Sequence, residues 1–221
     1  MRIITSLILL HTGMMLFGQT DSLEKALLYN KRIENEITNP EFNRLGTEWN
    51  NTIRRFGQYP ELPFNKNGQV HFVYEADYGG VSREYLFNRS LEWLSINYGL
   101  IPAWIYSNRD DGKIIFSNNH PVTNVYSFDY TAIISIKDGA MIIEYLNIDY
   151  KAFYEGHYKG DYWINDKTNS FKIETLYPVI FKKSTEWFST FTLLKSVQDH
   201  FATEVNNLGE YIFTYDAIYS N

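Results

Sequence analysis

The chain has 221 residues, enough for one elaborated domain or two small ones, and 44% are hydrophobic, which excludes global disorder. Its formal charge of −6, with basic pairs scattered among acids, excludes the basic stripe of a nucleic-acid binder. With no cysteine, it has no disulfide, no thiolate nucleophile, no thiolate metal site and no residue to carry a lipoprotein's lipid.

Residues 1–19 predict a cleaved secretory signal. Arg2 supplies the positive start, Ile3 to Leu10 and Met14 to Phe17 the apolar core, and Gly18-Gln19 the region of the cut. The run is shorter than the roughly 20 apolar residues of a membrane span. No later segment is long and apolar enough to span. The expected location is periplasmic or extracellular.

Residues 20–58 predict a helical hairpin. Leu23, Leu27, Ile33 and Ile37 fall near one face of a helix over 21–38. Asn39-Pro40-Glu41 predicts a new start, with Asn39 as cap, and Phe42, Leu45, Trp49, Ile53 and Phe56 follow at helical spacing. Gly46 weakens that second helix by about 1 kcal/mol relative to Ala. The Pro60 and Pro63 segment reads as an extended linker.

Gln69 to Tyr78 reads as a strand, with Val70, Phe72, Tyr74 and Ala76 on one face. Ser82 caps a helix reaching Tyr98, and Gly99 closes it. A hairpin over 104–106 and 113–116 follows. Asp138-Gly139 then joins two long apolar runs, Tyr126 to Lys137 and Ala140 to Tyr150, the strongest short-range signal for a tight hairpin. A two-residue turn pairs Ile136 with Met141, Ile134 with Ile143 and Ala132 with Tyr145 on a dry face. The other face, with Ile133, Ile142, Glu144 and Leu146, is mixed. Residues 152–183 read as a Tyr-rich connection with weak strands near Tyr162, and Phe171 to Phe181 as β-like until Pro178 interrupts. From Ser184 to Asp216, apolar residues recur every three or four positions, from Trp187 through Phe191, Phe201 and Leu208 to Tyr215. This predicts one long helix, or two parted near Asn206 to Gly209, lying across a sheet. The fold class is α+β: an antiparallel sheet gripped by the helix between its first two strands and by a long C-terminal helix.

The stretches LPFNKNGQVHFVYEADYGG, SREYLFNRSLEWLSINY, DDGKIIFSNN and FDYTAIISIKDGAMIIEYLNIDY resemble a bacterial exported family, domain of unknown function 4468, which has a TATA-binding-protein-like fold. Val81-Ser82, Trp93, Gly112-Lys113-Ile114 and Lys137-Asp138-Gly139 fit its positions. The resemblance spans 62–151 and implies a fold. It carries over no catalytic residue, and DNA binding does not follow from it.

Chemistry is sparse in the sequence. His71, His120, His157 and His200 are widely spaced, and no paired-His motif occurs, so neither a metal site nor a cofactor is expected. There is no nucleophile elbow and no glycine-rich phosphate loop. Glu155, His157 and Asp161 form the best local polar group and suggest, as an alternative, a hydrolase of envelope polymers. The stronger feature is aromatic. Tyr150 and Phe153 lead into Tyr154, Tyr158, Tyr162 and Trp163, which with His157 form the expected ligand-binding stretch. The reading is a binding or envelope-associated module, with an unidentified ligand or envelope protein as partner. A third reading is a scaffold assembling through its N-terminal helices.

Overall fold

The Asp138-Gly139 turn closes the longest ribbon of the structure. A computed structural model describes residues 21–99, 103–159 and 162–219, with side chains over 23–99, 106–156 and 165–214. The signal segment expected over 1–19 lies outside the described residues. In chain order the elements are α1 (Asp21–Ile33), α2 (Asn39–Phe56), β1 (Phe72–Asp77), α3 (Arg83–Tyr98), β2 (Ala103–Asn108), β3 (Lys113–Pro121), β4 (Tyr126–Lys137) and β5 (Ala140–Tyr154). Three short strands, β6 (His157–Lys159), β7 (Tyr162–Ile164) and β8 (Lys167–Lys172), then lead through two 3-10 turns to α4 (Ser184–Tyr219).

The main sheet is antiparallel, with order β1–β5–β4–β3–β2, and β8 pairs with the far half of β5. The ribbon's register places Ile136 opposite Met141, Ile134 opposite Ile143 and Ala132 opposite Tyr145, as the two-residue turn requires. Gly139 sits at φ +69, and the turn is stitched to the start of α3: Asp138 Oδ1 accepts from Arg83 N at 2.7 Å, and Gly139 N donates to the Val81 carbonyl at 2.8 Å.

One irregularity decides which residues face which way. Between Asp129 and Thr131 the register slips, so that Tyr130 faces both Asn147 and Ile148, and Asn147 adopts a left-handed φ of +53. This is a β-bulge, and it reverses the alternation along β5. Before it, Met141, Ile143 and Tyr145 are buried; after it, Ile148 and Ala152 are.

One face of the sheet carries the core. Phe201 of α4 stacks on Tyr145 with ring centroids 4.1 Å apart and meets Phe72, Phe128 and Tyr130 edge-on. Leu86, Phe87, Trp93 and Leu94 of α3 are buried beside it. The N-terminal half of α4 serves the helical hairpin: Trp49 packs edge-on to Trp187 and Phe191 at 5.0 and 5.3 Å. Glu24, 1% exposed, secures α1 by accepting from Tyr59 Oη at 2.7 Å and from the backbone N–H groups of Val179 and Ile180 at 3.0 and 3.1 Å.

Several boundaries differ from the sequence reading. The first helix stops at Ile33 rather than 38, where Asn35 turns to φ +60. Thr38 rather than Asn39 caps α2, since its Oγ1 accepts from Glu41 N. Residues 173–181 are 3-10 turns rather than strand; the last β-paired residue is Lys172. The C-terminal stripe is one helix, unbroken through Asn206 to Gly209.

Candidate functional site

The second face of the sheet is wet. Every described side chain that β1, β3, β4 and β5 project onto it is half-buried or exposed, whereas their opposite neighbours are mostly buried. Ile133, Ile142 and Leu146 on this face are half-buried. Toward the end away from the Asp-Gly turn, register builds two polar rows across four strands. Asn119 lies opposite Asp129, Asp129 opposite Asp149, and Asp149 opposite Lys172. In the next row, Pro121, Ser127, Lys151 and Ser170 are aligned the same way. The bulge at Asn147 is what brings Asp149, Lys151 and Phe153 onto this face.

Asn119 of the first row and Pro121, Ser127 and Lys151 of the second line an open groove of about 470 Å³. Its polar lining includes Asn119, Ser127, Lys151 and Thr168; Val125 and Phe153 form its apolar wall, and Tyr126 lies at its edge with its side chain alternating onto the face of Phe128 and Tyr130. Asn119 Nδ2 donates to Asp129 Oδ1 at 2.7 Å and to Ser127 Oγ at 3.2 Å. Lys151 pairs with Asp129, and Lys172 Nζ reaches Asp149 at 2.9 Å. The wall is fixed by the backbone: Phe153 N donates to the Val125 carbonyl at 2.8 Å, and Thr123 Oγ1 accepts from Val125 N and Tyr126 N. Phe153 is 39% exposed on this face, whereas Tyr126, Tyr150 and Phe171 form a ladder on the opposite face, with centroids 5.8 and 5.9 Å apart. A hollow of similar size, about 480 Å³, lies at the other end of this face beside Glu75, Asp77 and Lys137. It has no aromatic wall.

Of the residues expected to bind, Tyr154 ends β5, 54% exposed, one position beyond Phe153. His157 and Tyr158 lie on β6, and Tyr162 and Trp163 on β7, a separate two-stranded hairpin with Tyr158 opposite Trp163. The side chains of 157–164 lie outside the described residues, as does the whole of Asp161. Among the described residues, no group of three His, Asp or Glu side chains is placed to hold a metal ion.

A polar cluster that spacing along the chain did not reveal lies inside the sheet–helix interface. Tyr130 Oη donates to Glu204 Oε2 at 3.0 Å, and His200 Nε2 lies 3.2 Å from both. Tyr98 joins through its hydroxyl, and Asn118 Nδ2 donates to Tyr130 at 3.3 Å. The His120 ring stacks on His200 at 3.8 Å. Burial, with Glu204 nearby, drives the Tyr130 and Tyr145 hydroxyls well above their usual range and Tyr74 up to about 12. Burial and the neighbouring His200 lower His120. Tyr130 and Glu204 are 1% and 4% exposed, so the cluster satisfies buried polar groups and offers a ligand no opening of its own.

No protein-family profile and no curated protein matches the chain. Two solved structures are similar to it. A TBP-like protein from Parabacteroides distasonis aligns over 67% of this chain and 95% of its own, with 20% identity and a TM-score of 0.47. A DUF4468 family protein from Bacteroides ovatus aligns over 67% of this chain and 90% of its own, with 16% identity and the same TM-score. The chain is therefore similar in structure to proteins described by the same family and fold names that residues 62–151 suggest.

Proposed function

We propose that the protein is a binding module that works outside the cytoplasm and receives its ligand in the groove at the open end of the β4–β5 ribbon. The leader pattern of residues 1–19 supports export. The observation that carries the binding reading is the groove itself. Its polar floor is ordered by internal hydrogen bonds, its wall is tied to the backbone, and the Phe153 ring is left in water. Exposed aromatic area beside convergent polar groups is how small-ligand sites are built, and a volume of about 470 Å³ suits one. Tyr154 and the β6–β7 hairpin extend the same end of the molecule, so His157, Tyr158, Tyr162 and Trp163 are proposed as its outer contacts.

Amide chemical-shift mapping with a library of small polar fragments tests this. The reading expects shifts concentrated at Asn119, Ser127, Lys151 and Phe153. Shifts confined to the hollow by Glu75 and Asp77, or to none of these residues, would contradict it.

A second reading, assembly through the N-terminal helices, is favoured by Leu23, Tyr29 and Ile33, which are 42–57% exposed on α1. Sedimentation of the wild type against Ile33→Glu tests it: a mass that falls to the monomer in the variant supports assembly, and a monomer in both removes it.

A further inference from the structure

We propose, resting on the reading above, that the ligand class of the groove is a neutral saccharide chain. Three observations converge on it. The first is charge. Lys151, the charged side chain in the groove's lining, is paired with Asp129, so the floor offers hydrogen-bonding capacity without a free charge. An ionic ligand would have to displace one member of a pair and leave the other uncompensated. A polyhydroxylated neutral ligand adds to the network instead, because a hydroxyl both donates and accepts.

The second is the shape of the polar surface. Asn119, Ser127, Asp129 and Lys151 lie side by side on one pleated face, in register across β3, β4 and β5. Amide and carboxylate groups set in a row match the vicinal hydroxyls of a pyranose. Asn119 Nδ2 already bridges a hydroxyl and a carboxylate, Ser127 Oγ and Asp129 Oδ1. The wall presents the ring of Phe153, 39% exposed, against which the C–H face of a sugar ring can stack.

The third argues against an extended peptide. Strand addition needs an open row of backbone N–H and C=O groups. Beneath the groove, Ser127 is paired on both sides by Pro121 and Lys151, and Lys151 on its far side by Ser170. The groove lies on a sheet face, where recognition rests on side chains.

The test is titration of the protein by calorimetry and chemical-shift mapping with neutral hexasaccharides of β-glucan, α-glucan, α-mannan and xylan linkage, beside a polygalacturonate hexamer and a mixed-sequence decapeptide. The expected result is binding of at least one neutral hexasaccharide with shifts at Asn119, Lys151 and Phe153. The Asn119→Ala/Phe153→Ala variant weakens it at least tenfold, and Phe153→Trp retains it. The saccharide class is overturned, with the groove reading intact, if the decapeptide or polygalacturonate shifts these residues and no neutral sugar does. If no probe shifts them, both fall. Sugar binding that survives the double variant unchanged overturns the assignment to this groove.

Discussion

His120 shows how burial writes a pH response into one side chain. Its ring stacks on His200 of α4 and lies against Phe128 on the neighbouring strand, with the Glu204 carboxylate of α4 nearby. Burial and His200 lower its pKa, so the folded chain resists a proton that the unfolded chain accepts near the usual value of about 6.5. Protonation then favours unfolding, and stability falls as pH drops through about 6.5. Urea midpoints at pH 7.5 and 5.5 check this: His120→Gln should show a smaller drop than the wild type, and an equal drop would remove His120 as the cause. Glu24 makes a different residue-scale prediction. Its carboxylate satisfies two backbone N–H groups and the Tyr59 hydroxyl in a dry setting. Glu24→Ala is expected to lower stability by about 2–4 kcal/mol and Glu24→Gln by less, read from denaturation midpoints.

Two glycines separate propensity from sterics at the scale of the element. Gly46 lies inside α2 with nothing within 4 Å of a built Cβ, so Gly46→Ala is expected to stabilise by about 0.5–1 kcal/mol. Gly112 sits at φ +60 between β2 and β3, where a Cβ would collide with the carbonyl oxygen of Ile136. That oxygen belongs to β4, and Gly112 in turn accepts from Ile136 N at 2.7 Å. Gly112→Ala should cost about 2–4 kcal/mol, combining left-handed strain with overpacking. Thermal melts of both variants check the opposite signs. The same scale explains what the sequence makes legible. The ribbon's register follows from a two-residue turn, and Ser82 and Gly99 bound α3 as their chemistry predicts. The bulge was not legible, because Leu146-Asn147-Ile148-Asp149-Tyr150 alternates cleanly on paper. Only the left-handed Asn147 shows that Leu146 and Ile148 point to opposite faces. The same reversal places Lys151 and Phe153 at the groove.

At the scale of the whole molecule, α4 connects everything. Trp187 and Phe191 hold the helical hairpin, Phe201 holds the sheet, and Tyr211 lies under Arg89 of α3 at 4.2 Å. One core cluster runs from Leu28 to Ile212. Among the described residues the helices lie on one face, and the side chains of the other, where the groove lies, stay half-buried or exposed. The aromatic crowd around Tyr150 and Phe153 marked this end of the molecule in the sequence. Asn119, Ser127 and Asp129 did not stand out, because their meeting depends on the pairing of β3 with β4 across an irregular loop.

The most direct measurement is a paired one on Asn119→Ala/Phe153→Ala: its urea midpoint, and its affinity for whichever neutral hexasaccharide the wild type binds. Both side chains are exposed, so the midpoint is expected close to that of the wild type and the affinity reduced at least tenfold. A midpoint that falls substantially while affinity is retained would show that these side chains hold the sheet together and that the ligand binds elsewhere.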